Sequence, residues 1–389
     1  MQEENILVKN EDEAFDMEQV DRILWSHTRD SGPVVVIFSG IHGNELAGLH
    51  ASKRLARSLS SNIDRLKGSV YMVCGNQQAI KKGVRYVDRD LNRIWGDFAN
   101  EDPAAKDDKS SEWAEARELV ELLDEVVNEH KYITKDLSFI DLHTTSAKSC
   151  AFILFNDTLQ NRDRAADFPV PQILGIEETI QGTLMSYIND LGCPAIGFEA
   201  GKHEDKSSID RTEAFLWLYL HHSGITSLSS KEIHHYESVI GGDNELEGEY
   251  YEIIYHQYVE DAKKFKMKDG YYNFDVVRKG DLLAYYDGEP VYAPQNGLIF
   301  MPLYQSKGSD GFFLLKARSA FWLKLSAAVR DSFINNYLHL LPGVVKLEDE
   351  EYAYRVNLKV ARLLVKEVFH LMGYRVIRKD RKTLICYKR

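Results

Sequence analysis

The feature that most constrains the fold of this chain is a series of short apolar runs, each ended by polar or glycine residues. Residues 34–38 form such a run after Pro33, and its β-branched composition is typical of a strand buried on both faces of a parallel sheet. Residues 45–60 and 113–130 have the apolar periodicity of amphipathic helices. Similar strand-like runs occupy residues 70–73, 138–140, 152–155 and 195–198. The alternation predicts an α/β fold with a mixed, mostly parallel sheet flanked by helices.

The character of the sequence changes after residue 225. Short strand-like runs then alternate with turn pairs such as Asp269-Gly270 and Asn296-Gly297, which favours a small all-β domain. The last segment has helical patterns over 321–340 and 357–371, followed by runs that could pair as a hairpin. We therefore expect an α/β domain, a small β domain and a mainly helical C-terminal extension, over residues 1–225, 231–317 and 318–389. The extension could be a packing appendage, a contact in a homo-oligomer, or a basic surface for an acidic partner.

Composition and charge exclude several classes of function. The net charge of the 389-residue chain is -12 and its pI is about 5.6, so its surface repels the phosphate backbone of nucleic acids. No run of roughly 18 apolar residues is present, which argues against a membrane-spanning segment. Residues 1–13 lack the pattern of a signal peptide, so we expect a cytoplasmic protein. The 4 cysteines form no close pair, which disfavours a cysteine-only zinc site.

Two histidines and one glutamate have the arrangement of a hydrolytic zinc site. Catalytic zinc takes three protein ligands and leaves one position for water. His42 and Glu45 are three residues apart in a glycine-flanked turn that follows the first predicted strand. His143 follows another predicted strand, and Asp141 beside it could orient an imidazole. Because active sites form beyond the carboxyl ends of parallel strands, these side chains are expected to converge.

Four further residues suit the remaining chemistry of a hydrolase. Asn92 and Arg93 could hold a substrate carboxylate, because an arginine fork and an amide both match its oxygens. Arg85 could polarise a carbonyl oxygen as it becomes negative. Glu199 lies at the end of a predicted strand among small residues, where a carboxylate could act as a general base on water.

Together these motifs resemble the succinylglutamate desuccinylase/aspartoacylase family, which is related to the zinc carboxypeptidases. The motifs agree in order and approximate spacing, and the resemblance covers about residues 33–220. The motifs are GIHGNE at 40–45, VDRDLNR at 87–93, DLHTTS at 141–146 and GFEAG at 197–201. The resemblance implies a carboxypeptidase-like fold for residues 1–225 and a small barrel-like second domain.

The resemblance also implies a role for each candidate residue. One zinc ion is expected as the cofactor, with His42, Glu45 and His143 as its ligands. The remaining roles are carbonyl polarisation by Arg85, carboxylate binding by Asn92 and Arg93, and general acid/base catalysis by Glu199. The sequence departs from the family at the arginine that aspartoacylases carry shortly before the catalytic glutamate, since Asn189, Asp190 and Cys193 fill that neighbourhood. A tyrosine from the second domain has only Tyr292 and Tyr304 as candidates.

The sequence thus predicts a zinc-dependent hydrolase that cleaves the amide bond of a small anionic N-acyl amino acid. Neither nucleic acid nor a membrane is an expected partner, and the chain could form homo-oligomers. Two alternatives stay open at this point. One is carboxypeptidase-like release of a C-terminal residue from a peptide, and the other is a carboxylate-binding module without catalysis.

Overall fold

The structure is a computed structural model of the chain. It describes residues 20–100, 108–130, 134, 136–242, 246, 249–330, 332–347, 352–361, 365–380 and 382–389. The expectation about a signal peptide in residues 1–13 lies outside the described residues.

The helices are α1 (Ala47–Ser60), α2 (Gln77–Lys81), α3 (Trp95–Asn100), α4 (Ser111–His130), α5 (Leu159–Ala165), α6 (Leu184–Asp190), α7 (Ser207–His222), α8 (Ser230–Gly241), α9 (Ala320–Val329) and α10 (Val365–Leu371). Short 3₁₀ helices cover Ile63–Arg65, Leu91–Arg93, Ile176–Glu178, Ala262–Lys264 and Phe333–Leu340. The first nine strands are β1 (Ile23–His27), β2 (Val34–Ser39), β3 (Ser69–Cys74), β4 (Leu137–Thr145), β5 (Phe152–Phe155), β6 (Gln172–Leu174), β7 (Ala195–Lys202), β8 (Tyr250–Tyr258) and β9 (Phe265–Met267). The others are β10 (Val276–Val277), β11 (Leu282–Tyr286), β12 (Glu289–Tyr292), β13 (Gly297–Phe300), β14 (Asp310–Arg318), β15 (Val344–Lys346), β16 (Ala353–Asn357), β17 (Tyr374–Arg378) and β18 (Thr383–Lys388).

A large mixed sheet organises the fold, with the strand order β1-β3-β2-β4-β7-β5-β6-β8-β14-β13-β10. From β3 to β8, neighbouring strands run parallel except for β7 and β5, which are antiparallel. The outer pairings, β1 with β3 and those from β8 to β10, are antiparallel. The prediction of a mixed, mostly parallel sheet is confirmed for the centre of the fold.

Helices cover both faces of this sheet because successive side chains of a strand point in opposite directions. Val36 of β2 lies in one core with Leu119 of α4. Ile37, the next residue, lies in a second core with Leu55 of α1 and Phe215 of α7. Full burial of each large apolar side chain contributes about 1.5–3 kcal/mol. The continuous apolar run in β2 therefore reflects two packed faces, as its sequence predicted.

The β-rich segment continues the large sheet. β8 pairs in parallel with β6, and β14, β13 and β10 follow at the edge. A second sheet of order β12-β11-β9 accompanies it, and the segment has its own apolar core with Val259, Leu283 and Phe312. Residues 230–241 form α8, although the sequence placed them almost entirely in the β region. A capping box between Ser229 and Glu232 starts this helix. The division into domains stays a prediction.

The C-terminal segment contains a four-stranded antiparallel sheet of order β15-β16-β18-β17 as well as helices. The hairpin of β17 and β18 is confirmed. The helix expected over 321–340 is interrupted after α9, where buried Arg330 turns toward Asp157. Of the helix expected over 357–371, Asn357 belongs to β16, residues 358–361 are not helical, and α10 covers Val365–Leu371. The description of this segment as mainly helical is therefore incomplete.

Among the described residues, none of the helices combines the length and the apolar content that crossing a membrane requires.

Candidate metal centre and active site

The turn between β2 and α1 carries His42 and Glu45, and its geometry depends on close backbone packing. The Gly43 amide donates to the Arg85 carbonyl at 3.1 Å. A Cβ atom at position 43 would lie 2.2 Å from the carbonyl carbon of Ala79, so only glycine fits there without a shift of the backbone. The turn is thereby fixed against the segment that leads to Arg85, which brings these predicted site residues together.

The adjacent parallel strands β4 and β7 place His143 directly beside Glu199. The sequence analysis placed both residues just after their strands, and this is wrong in detail. β4 extends to Thr145 and β7 to Lys202, because the two strands stay paired across a register shift after His143. The two side chains still lie near the carboxyl edge of the sheet, where the general rule for such folds expects a site.

His42, Glu45 and His143 converge on one point. The Nδ1 atom of His42 lies 2.9 Å from Oε1 of Glu45, and the Nδ1 atom of His143 lies 3.0 Å from Oε2. One ligand atom from each residue lies within 4.8 Å of the others, and all three side chains are buried. Two imidazole nitrogens and a carboxylate oxygen are a donor set that zinc accepts. These residues fit a metal ion.

An aspartate anchors the far side of each imidazole. Nε2 of His42 lies 3.0 Å from Oδ1 of Asp90, and Nε2 of His143 lies 2.9 Å from Oδ2 of Asp141. Such partners orient a ligand ring and raise its basicity. The arrangement leaves both Nδ1 atoms aimed at Glu45. Asp141 has the position expected for an orienting residue, whereas the sequence analysis assigned no such role to Asp90.

The electrostatics of the cluster favour a cation at its centre. Burial alone would raise the pKa of Glu45, but His42 and His143 lower the pKa well below its ordinary value. Burial would likewise lower the pKa of His143, but Asp141 and Glu45 raise it well above the usual value. The Glu45 carboxylate is thus held ionised, and positive charge is stabilised at the His143 ring. The same field would stabilise a divalent ion.

Glu199 is a buried carboxylate with an unused oxygen. Its side chain is 4% exposed, and Oε2 has no hydrogen-bond partner. Burial raises the pKa of Glu199 to about 8, although His143 acts in the opposite direction. A buried carboxyl without its full set of partners is costly for a fold, so it needs an explanation outside stability.

Arg85, Asn92 and Arg93, the three further candidates from the sequence, all line the same cavity. Arg85 donates to Glu45 at 3.2 Å and to Asp90 at 3.3 Å. Arg93 donates through Nη2 to Oδ2 of Asp310 at 2.6 Å and through Nη1 to the carbonyl of Asn92 at 2.7 Å. The sequence analysis did not foresee Asp310, which comes from β14, far along the chain.

The cavity has a volume of about 110 Å³, and two parts of the chain enclose it. The candidate site residues line it, together with His203, which is hydrogen-bonded to Thr144 at 2.7 Å. Residues from 301–313 of the β-rich segment also line it. Neither tyrosine considered from the sequence lines the cavity. Tyr292 is 54% exposed on β12, and the Tyr304 hydroxyl donates to backbone carbonyls within the β-rich segment.

The fold and the site together define an α/β protein with a candidate mononuclear metal centre at the carboxyl edge of its sheet. Residues 31–221 match the model of the succinylglutamate desuccinylase/aspartoacylase catalytic domain, which assigns this part of the chain to that family.

Individual relatives agree with this assignment. A succinylglutamate desuccinylase from Pseudomonas paraeruginosa is 39% identical over 67 residues, which are 17% of this chain and 20% of that protein. The match thus spans about a fifth of the length of that curated relative. A crystal structure of succinylglutamate desuccinylase/aspartoacylase from Rhodobacter sphaeroides is similar to 76% of this chain and 88% of its own, with 19% identity and a TM-score of 0.57. Murine aminoacylase 3 is similar over 75% of this chain and 97% of its own, with 18% identity and a TM-score of 0.50. The structural likeness is one of fold.

Proposed function

We propose that this protein is a zinc-dependent amidohydrolase that cleaves the amide bond of a small N-acyl amino acid. The observation that carries the proposal is the meeting of the His42–Glu45–His143 cluster and the unpartnered Glu199 carboxylate in one cavity. The family supports it, since its named members include succinylglutamate desuccinylases and its structural neighbours an aminoacylase.

Glu199 is the proposed general base and acid. Bound zinc supplies a Lewis acid that acidifies water and polarises a carbonyl. The free Oε2 atom of Glu199 accepts a proton from the attacking water and later returns it to the leaving amine. Burial raises the pKa of Glu199, which favours the protonated form that donates to the leaving amine.

The arginines are proposed to act on the two ends of the substrate. Arg85 stabilises the negative charge that develops on the carbonyl oxygen, and its bonds to Glu45 and Asp90 fix its position beside the metal ligands. Arg93 and Asn92 hold the carboxylate of the amino acid. Asn92 is fixed for this task, since its Oδ1 atom accepts from the Leu184 amide at 2.9 Å.

The loop between β13 and β14 favours a small substrate over a peptide. Lys307 donates to the Tyr86 carbonyl at 2.6 Å and lies 4.4 Å from the centre of the Tyr86 ring. Ser146 is within hydrogen-bond distance of both the Pro302 carbonyl and the Tyr304 amide, at 3.4 Å in each case. The loop is thus held to the catalytic side of the cavity at two places. An extended peptide would need these contacts to open.

A turnover screen tests the proposal. The zinc-loaded protein is assayed with acetyl, succinyl and longer acyl derivatives of several amino acids and with peptides, beside the Glu199→Gln variant. We expect hydrolysis of at least one acyl amino acid, loss of that activity in the variant and little release of residues from peptides. Faster cleavage of peptides would favour the carboxypeptidase alternative. Binding of acyl amino acids without any turnover would make the protein a carboxylate-binding module.

A further inference from the structure

The cavity has an apolar wall beside its carboxylate-binding end. Its side chains come from four separate parts of the fold, and each is at most 8% exposed. The wall consists of Leu154, Ile176, Ile180, Met185 and Phe313. Leu154 and Met185 converge over Gly197 of β7, since a Cβ atom there would lie 2.9 Å from Leu154 Cδ1 and 3.1 Å from Met185 Sδ. Position 197 therefore leaves room for these two side chains close to Glu199.

Contacts along the backbone place this wall next to Arg93. The segment that carries Ile180 and Met185 is bound to the Asn92 region at two points. The Trp95 amide donates to the Gly182 carbonyl at 3.2 Å, and the Leu184 amide donates to Asn92 Oδ1 at 2.9 Å. Phe313 follows Asp310, the partner of Arg93, by three residues on β14. A group attached to the carbon that bears the bound carboxylate would therefore meet apolar surface.

In the part of the chain that the structure describes, no arginine or lysine that lines the cavity is left for a second carboxylate, once Arg85 acts on the carbonyl oxygen and Arg93 holds the α-carboxylate. Among the described residues, the arginines and lysines that line the cavity are Arg85 and Arg93. Arg85 is bound by Glu45 and Asp90, and Arg93 by Asp310. Burial would raise the pKa of Asp310, but His256 and Arg93 lower it to about 2, so this carboxyl is ionised at neutral pH. An acidic side chain on the substrate would face an anion, the apolar wall and polar side chains that carry no charge, such as Thr183 and Gln305.

We propose that the amino-acid part of the substrate carries an uncharged, apolar side chain, which the apolar wall receives while Arg93 and Asn92 hold the α-carboxylate. The inference rests on the proposed function and narrows its substrate class. A buried apolar pocket gains roughly tenfold or more in specificity per well-placed methylene group. An unpaired carboxylate in the same place would lose its hydration without gaining a partner.

A comparison at constant acyl group tests the proposal. The zinc-loaded protein is assayed with the N-acetyl derivatives of leucine, methionine, phenylalanine, aspartate and glutamate. We expect kcat/KM for the best apolar substrate to exceed that for both acidic substrates by about 10²-fold or more. Equal or faster hydrolysis of the acidic substrates would overturn the inference and leave the proposed function intact.

Two variants of the wall sharpen this test. Ile180→Arg introduces a cation beside Arg93, and we expect the ratio of apolar to acidic turnover to fall at least tenfold. Ile180→Met keeps the site apolar and is the matched control, for which the preference should persist. An unchanged ratio in Ile180→Arg, with the protein folded by circular dichroism, would contradict the assigned position of the wall.

Binding separates failure of the inference from failure of the proposed function. The thermal midpoint of the zinc-loaded Glu199→Gln variant is measured with N-acetylleucine and with N-acetylglutamate. We expect a larger stabilisation by the leucine derivative. If no acyl amino acid is hydrolysed but N-acetylleucine stabilises the protein more than N-acetylglutamate, the proposed catalytic function is wrong and the inference about the side chain stands. The reverse order would overturn the inference regardless of turnover.

Discussion

Two regions of the molecule bury clusters of charged side chains, and they differ in how their carboxylate oxygens are paired. One is the proposed metal centre around His42, Glu45 and His143. The other, which we term the C-terminal anchor, joins the catalytic fold to the last segment of the chain. The anchor comprises Asp157, Glu177, Glu178, Glu252, Arg162, Arg318, Arg330, His370 and Arg389.

In the anchor, most of the carboxylate oxygens are paired. Asp157 accepts from Arg162, from Arg330 at 2.6 Å and from Arg389 at 3.0 Å. Glu178 accepts from Arg389 at 2.7 Å and lies 3.0 Å from His370. Despite the opposing effect of burial, these cations lower the pKa of both carboxyls. Such pairing is what holding two parts of a chain together requires.

In the proposed metal centre, a carboxylate that lines the cavity keeps an oxygen without a hydrogen-bond partner. Glu45 is shared by two imidazoles, whereas Oε2 of the neighbouring Glu199 has no partner and faces a cavity. Burial of charge is thus common to both regions and does not identify a site. Glu177 of the anchor also has an unpartnered oxygen, Oε2, but it does not line the cavity. The difference is that Glu199 lines the cavity, where a substrate can add the missing contact.

The largest effect is expected from Glu199→Gln. The amide has nearly the same shape but cannot carry the proton between water and amine, so kcat should fall about 10²- to 10⁴-fold. Initial rates at saturating substrate measure this loss, with urea unfolding as the check on stability. Because the Oε2 atom of Glu199 has no hydrogen-bond partner to lose, the variant should be as stable as the parent protein. A variant that keeps its rate would remove Glu199 from the mechanism.

Arg389→Ala tests whether the C-terminal anchor stabilises the fold. Removing this cation leaves Asp157, Glu177 and Glu178 buried with fewer partners, and loss of one member of a buried pair costs about 3–5 kcal/mol. The free energy of unfolding in urea measures the loss. Lys379→Ala, at an exposed site in the same segment, is the control and should change stability little. The assignment of the anchor as structural fails if Arg389→Ala is as stable as this control.

Arg93→Gln should affect binding more than the chemical step. The glutamine cannot provide the charged fork, and a hydrogen bond to a charged group is worth about 1.5–3 kcal/mol. We expect KM to rise about 10- to 100-fold with a smaller change in kcat. Steady-state kinetics measures both constants, and Arg93→Lys should lie between the variant and the parent. A fall confined to kcat would assign Arg93 to the transition state instead.

The smallest effect concerns the pH dependence of the anchor. Burial would lower the pKa of His370, but Glu178 and Glu252 raise it above its ordinary value. Protonated His370 therefore stabilises the fold fully below the unfolded-state pKa of about 6.5, and this contribution is lost as the pH rises through the folded-state pKa. The stability difference between the parent and His370→Gln should be largest near pH 6 and should shrink at alkaline pH. Urea unfolding of both proteins from pH 6 to alkaline pH measures this difference. A difference in unfolding free energy that does not change with pH would contradict the prediction.

The sequence predicted those parts of the fold whose signals are local. The run at residues 34–38 predicts a two-sided buried strand because its composition already satisfies both faces. His42 and Glu45 lie three residues apart in one turn, so their convergence follows from spacing. His143 follows from the rule on strand ends, although its strand extends further than its apolar run indicates.

The sequence contains no local pattern that predicts contacts between distant segments. Asp310 meets Arg93 only because β14 joins the large sheet through β8, a pairing that no local pattern predicts. In the sequence, Arg389 cannot be told apart from the other basic residues of its segment. Only the folded structure shows that it is buried and bound to Asp157. The apolar wall likewise combines residues from separate segments. In the sequence, each of these residues has the pattern of an ordinary core residue.

Zinc binding by two histidine variants tests the central claim most directly. His143 and His370 are both buried between carboxylates, but only the former belongs to the proposed metal centre. The parent protein, His143→Ala and His370→Ala are equilibrated with zinc, dialysed and assayed for metal by mass spectrometry, with circular dichroism to check folding. We predict one zinc ion per chain in the parent and in His370→Ala, and loss of zinc from folded His143→Ala. Stoichiometric zinc in His143→Ala would contradict the account.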